Sequence, residues 1–307
     1  MTCAIRLVRV TGSALWLCVV AGCSPYVYKQ EIDGFATGVK DLTAAYHESR
    51  GYLATRDQDK VDAQWVESHA RLTITACEFR DPSRAGTVEC VLHEIAQPVP
   101  APLPDTVIFR EVAVNVETLS RYATALAAVA NAADREALTA AQAKLKTAVQ
   151  GFAKEAAGGT VAGVGPAVDL FSSLTAALLD QQRYDILRSG VAAAKEPVRD
   201  LGGTLAVALG GVWMERASAL RKTASEDAEN LGSGKEYPAR LKKLREKVAA
   251  LETLRAKNPG LAAADMVVAH DALAKALIDD SRQAEAVATA VTNFLAQAAA
   301  AREAFEK

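Results

Sequence analysis

The side chains with the best claim to chemistry in this sequence are four histidines, five cysteines and a few serines set among glycines. His93-Glu94 opens like a zinc-protease helix but continues Ile95-Ala96-Gln97, so the second histidine such a site needs is missing. Cys90 and His93 have metal-ligand spacing with no second half-site to complete a tetrahedron. His47, His69 and His270 also stand outside any Glu-x-x-His pair, the spacing by which facing helices build a carboxylate-bridged metal site. The glycines at 158, 159, 163 and 165 are followed by no Lys-Ser/Thr, so they do not form a phosphate loop. Ser173 and Ser233 belong to no Gly-x-Ser-x-Gly elbow and have no base near them in sequence. The sequence therefore predicts no catalytic residue, no metal and no cofactor, and a protein that is not an enzyme.

The informative chemistry is at the N-terminus. Arg6 and Arg9 precede an apolar run from Val10 to Val20 that is too short to span a bilayer, where about 20 apolar residues are needed, so it reads as an export signal. It ends in Val20-Ala21-Gly22-Cys23. This run resembles the lipobox of bacterial lipoproteins, with Val in the first position where that family more often has Leu. The resemblance covers residues 1–23 only. It implies cleavage before Cys23, diacylation of its sulfur and acylation of its new amino group. Ser24, rather than Asp, then implies sorting to the outer membrane. Two or three acyl chains, at about 0.8 kcal/mol per buried methylene, make a stable anchor without a transmembrane helix.

Export bears on the remaining cysteines. Cys3 and Cys18 leave with residues 1–22 and Cys23 is taken by lipid, so Cys77 and Cys90 remain as an even pair in an oxidising compartment. Asp81-Pro82 and Ala85-Gly86 can reverse the chain between them. The expectation is a Cys77–Cys90 disulfide worth on the order of 3 kcal/mol, the alternative being two free buried thiols.

Composition bounds what the anchor carries. Loss of residues 1–22 removes two bases and no acid, so the net charge moves from −2 to −4. Such a chain has no electrostatic reason to bind nucleic acid. Aromatic residues are few and alanine abundant, which favours long, closely packed helices over sheet.

The expected organisation is a signal peptide (1–22), a lipidated tether (23–30) and an all-α domain over 31–307, an elongated antiparallel bundle of four to five long helices. Phe35, Val39, Leu42, Tyr46, Leu53, Trp65, Val66, Leu72 and Phe79 recur at helical spacing, predicting one helix or two in line from about residue 31 to 79. Residues 97–105, with proline at alternate positions, read as an extended polyproline connector. A second long helix is expected from 107 to 157, with Asn131-Ala132-Ala133-Asp134 as a bend and Gly158-Gly159 as its end.

A glycine-rich apolar centre, 157–214, follows, holding Phe171, Leu174, Leu178, Val207 and Trp213. It reads either as the buried middle of the bundle or as a hairpin able to meet a membrane or partner through those five residues. A charged helix is expected at 217–231. Lys235 to Lys257 carries eight bases opposite a Leu241, Leu244, Val248, Leu251 and Leu254 stripe, and a last helix is expected from 261 to 305.

The leading functional expectation is an envelope scaffold, spacer or adaptor held in the membrane through Cys23 and working with a protein partner. A membrane-active bundle using 157–214, or a periplasmic bundle that senses or binds a small ligand in its core, are the alternatives.

Overall fold

The computed structural model describes residues 28–75, 91–95, 104–157, 176–279 and 283–305. These form seven helices and one short strand pair: α1 (Lys29–Ser68), β1 (Leu72–Thr75), β2 (Val91–Glu94), α2 (Pro104–Asn131), α3 (Arg135–Ala157), α4 (Ala176–Glu229), α5 (Tyr237–Ala256), α6 (Pro259–Ile278) and α7 (Ala284–Phe305). The protein is an all-α bundle. Cys23, Cys77, Cys90, Phe171, Leu174 and connector residues 97–103 lie outside the described residues.

The expected boundaries shift for physical reasons. The first helix stops at Ser68 instead of reaching Phe79. His69 takes a left-handed conformation (φ 52°), and Leu72-Thr73-Ile74-Thr75 pairs antiparallel with Val91–Glu94, Thr75 opposite Val91. The alternation and β-branching of that tetrapeptide suit a strand, and a left-handed residue ends the helical ladder before it. Pro104 and Asp105, expected to close the extended connector, form the first turn of α2, where proline's missing N–H costs no helical hydrogen bond. At the bend after Asn131, the Asp134 carboxylate accepts the Ala137 amide proton at 2.8 Å and restarts the chain as α3. The apolar run 201–214 and the charged helix after it are one element, the 54-residue α4, about 81 Å long at 1.5 Å per residue. The polar residues 180–183 lie inside it. The final helix is interrupted after Ile278, giving α6 and α7.

Six helices share the core. Asn131 Nδ2 reaches Asp33 Oδ1 at 2.6 Å, so α2 runs antiparallel to α1. Gly34 packs beside Val291, Gly38 beside Phe294, and Asp41 pairs with Arg302 at 3.4 Å, so α7 runs parallel to α1. Tyr184 Oη donates to the Leu277 carbonyl at 2.8 Å and Arg199 meets Asp271 at 3.1 Å, setting α6 antiparallel to α4. The stripe Val112, Val116, Leu119, Leu126, Val129 on α2 and Leu138, Leu145, Val149, Phe152 on α3 is buried throughout. So are Leu273, Leu277, Val287, Val291, Phe294 and Phe305 on α6 and α7. Helix α5 packs on α4. Leu254 is the buried member of its expected apolar stripe; Leu241, Leu244 and Leu251 are half-buried and Val248 is exposed.

Candidate functional site

A buried polar contact joins four helices. Tyr122 on α2 and His270 on α6 are both buried, and the phenol oxygen lies 2.8 Å from Nε2 of the imidazole. Phe35 of α1 stands 5.8 Å from the imidazole centroid, and Phe152 of α3 packs edge-on against Tyr122 at 5.6 Å. Burial pushes the His270 pKa down to about 4, against a smaller opposing pull from Asp271 and with a small assisting push from Lys195. Burial raises Tyr122 well above the usual phenol range. Both rings are therefore neutral near pH 7. With His270 only 1% exposed, the pair is closed to substrate and acts as a polar pin within an aromatic cluster.

A second polar cluster lies where α1, α4, α5 and α7 come together. Arg56 of α1 pairs with Asp57 at 2.5 Å and with Glu215 of α4. The Arg216 guanidinium sits 5.6 Å over the Tyr52 ring and donates to the Ala304 carbonyl at 2.6 Å. Lys257 reaches Glu303 at 2.5 Å, which lowers the Glu303 pKa. The half-buried Trp213 donates its indole N–H to the Leu254 carbonyl at 2.7 Å, and Lys247 meets Asp227 at 2.5 Å, so α5 returns antiparallel along α4. This cluster couples four helices and contains no nucleophile beside a base.

The third feature is open. A groove of about 780 Å³ has α4 as its floor and Leu53 of α1 on one side; Arg199, Gly203, Val207, Gly211 and Glu215 run along it. Val207 is 78% exposed and Met214 61% exposed. A Cβ placed on Gly203, Gly210 or Gly211 would meet no atom within 4 Å, whereas one on the adjacent Gly202 would overlap Val267 at 2.2 Å. Gly202 thus serves the close α4–α6 crossing, and its neighbours leave a bare helix face.

Of the residues picked from the sequence for membrane or partner contact, Val207 lies on this bare face and Trp213 is turned into the α4–α5 contact. Leu178 falls in the first turn of α4. Among the described residues, no group of three or more His, Cys, Asp or Glu side chains is placed to hold a metal. Among them also, no helix is long and apolar enough to cross a membrane. The Tyr122–His270 contact had no sequence signal, because 148 positions separate the two residues. The spacing of Arg199, Gly203, Val207, Gly211 and Glu215, four residues apart throughout, was visible in the chain. Compared with known proteins, the chain matches no family model, no curated protein and no solved structure.

Proposed function

We propose that this is a non-catalytic lipoprotein of the bacterial envelope, anchored in the outer membrane by acyl chains on Cys23, whose helical bundle works as a scaffold, spacer or adaptor for a protein partner. The observation that carries this reading is the position of Cys23 at the end of a lipobox-like run, six residues ahead of the first residue of α1. Five intervening residues reach at most about 17 Å, so the bundle begins close to the bilayer surface. Helix α1, at 40 residues, carries its far end about 60 Å from its start. The same exported setting favours a Cys77–Cys90 disulfide, and the strand pair brings the flanking residues Thr75 and Val91 opposite each other. A core polar pair sealed from solvent and surface ion pairs suit a structural role.

The test is labelling with palmitate combined with fractionation. The native chain takes up label, shifts to a larger precursor when lipoprotein signal peptidase is inhibited, and fractionates with the outer membrane. Cys23→Ala loses the label and the membrane association. Unchanged precursor size under inhibition, together with membrane fractionation of Cys23→Ala equal to that of the native chain, overturns the reading.

A further inference from the structure

Charge is segregated along the bundle. At one end α1 starts, α2 ends and α4 begins, with Asn131 reaching Asp33 and Arg183 donating to the Ala132 carbonyl. That end carries Asp33, Asp134, Glu136, Asp180 and Asp185 against Arg135 and Arg183. The other end is the α4–α5 hairpin. At its tip the Arg240 guanidinium donates to the Asn230 carbonyl at 3.3 Å, about 70 Å along α4 from Arg183. Residues 217–257 hold ten bases and six acids, a net charge of +4 in a chain of −2, which leaves −6 for the rest.

Four of the six acids are paired inside the hairpin: Glu226 with Lys222, Asp227 with Lys247, Glu236 with Arg240 and Glu246 with Lys242. Lys235, Lys243, Arg245 and Arg255 are exposed and make no ion pair among the described residues. We infer that this distal basic surface is a docking site for a polymer that carries repeated carboxylates, of the kind borne by the peptide stems of a cell-wall glycan. The presence of such a polymer rests on the envelope reading proposed above.

Three properties of the hairpin select that occupant. First, Lys and Arg with no internal partner pair with carboxylates through charge-assisted hydrogen bonds. Second, one exposed ion pair is weak and screened by salt, so the occupant has to offer several carboxylates together. Lys243 and Arg255 lie about 18 Å apart along α5, a span that a polymer bridges and a small free anion does not. Third, the outward side of α5 has nothing to insert among acyl chains. Lys242, Arg245, Ala249 and Glu252 are exposed there, while Leu241, Leu244 and Leu251 are half-buried. The acidic remainder of the chain repels the same polymer, so contact is confined to the far end and holds the bundle end-on.

Co-sedimentation of the full chain with purified peptidoglycan sacculi tests this. It is carried out in detergent on the native chain and on Cys23→Ala alike, so it does not depend on the lipid anchor. Binding should weaken about tenfold or more between ~0.05 M and ~0.5 M salt. Lys235→Glu, Lys243→Glu and Arg245→Glu together should weaken it at low salt by a similar factor. Lys40→Glu, Lys144→Glu and Lys146→Glu together change the net charge equally at exposed positions on α1 and α3, and should bind like the wild type. Amidating the carboxylates of the sacculi should abolish binding of the wild type, an arm that needs no variant.

Failure of the wild type to sediment with intact sacculi overturns the inference. Equal binding by the Lys235, Lys243 and Arg245 variant, or equal binding to amidated sacculi, overturns it as well. Tighter binding to phosphatidylglycerol vesicles than to sacculi, lost in that same variant, would assign the surface to lipid instead.

Discussion

The phenol of Tyr122 and the imidazole of His270 share one 2.8 Å hydrogen bond at the centre of the bundle, each ring neutral and each held by aromatic neighbours. The groups around it come from five helices: Tyr122 from α2, Phe152 from α3, Phe35 from α1, Asp271 beside it on α6, and Lys195 from α4. His270 has an ordinary pKa of 6.5 when unfolded and about 4 when folded, so between these values the unfolded chain binds more protons than the native one. Its contribution is fully present above pH 6.5, falls as pH drops through this window, and levels off below about 4. The gap corresponds to about 3 kcal/mol. Urea unfolding at a series of pH values should show this loss in the wild type and not in His270→Phe. Tyr122→Phe alone should cost about 1–3 kcal/mol at pH 7 by leaving the imidazole nitrogen unpaired, and combining it with His270→Phe should recover most of that cost. Parallel pH profiles for wild type and His270→Phe would contradict the assignment.

Two glycines in α1 should respond to the same substitution with opposite signs. A Cβ on Gly38 would lie 2.5 Å from the Phe294 ring, so Gly38→Ala forces α7 away from α1 and should destabilise by about 1–3 kcal/mol. A Cβ on Gly51 meets nothing within 4 Å, and Gly51→Ala should stabilise by about 0.5–1 kcal/mol through helix propensity and a smaller unfolded-state entropy. Thermal unfolding of the two variants separates them. Equal shifts would show that Phe294 yields without cost.

These glycines also mark how far the sequence can be read. Apolar periodicity located the buried faces of α2, α3, α6 and α7, because residues such as Val116, Leu126, Leu145 and Phe294 face other helices on the core side. The same spacing includes Trp65 and Val66 near the end of α1. Val66 is instead 77% exposed, since α1 has no buried residue beyond Asp57. Periodicity reports which face is apolar and cannot report whether a second element covers it. The Leu241 to Leu251 stripe of α5 is half-open for that reason, with α4 as its neighbour. Gly202 and Gly203 are adjacent and chemically identical, yet one is pressed against Val267 and the other faces open space; that difference belongs to the helix crossing, which sequence spacing does not encode.

The attachment of α5 depends on a small number of contacts, which makes it the element that should open first. Leu254 is its buried residue, the Trp213 indole donates to the Leu254 carbonyl, and Lys247–Asp227 and Lys257–Glu303 are ion pairs at the surface, where solvent screens them. Local opening of such an element takes less free energy than global unfolding. Trp213→Phe keeps most of the apolar contact and removes the indole donor, so its cost of about 1 kcal/mol should fall on this local step. Amide exchange over residues 237–256 should then rise about fivefold, and exchange in α2 and α6, around Tyr122 and His270, should be unchanged in conditions where α5 opens without the rest. A uniform acceleration across all helices would mean that α5 unfolds only with the whole bundle.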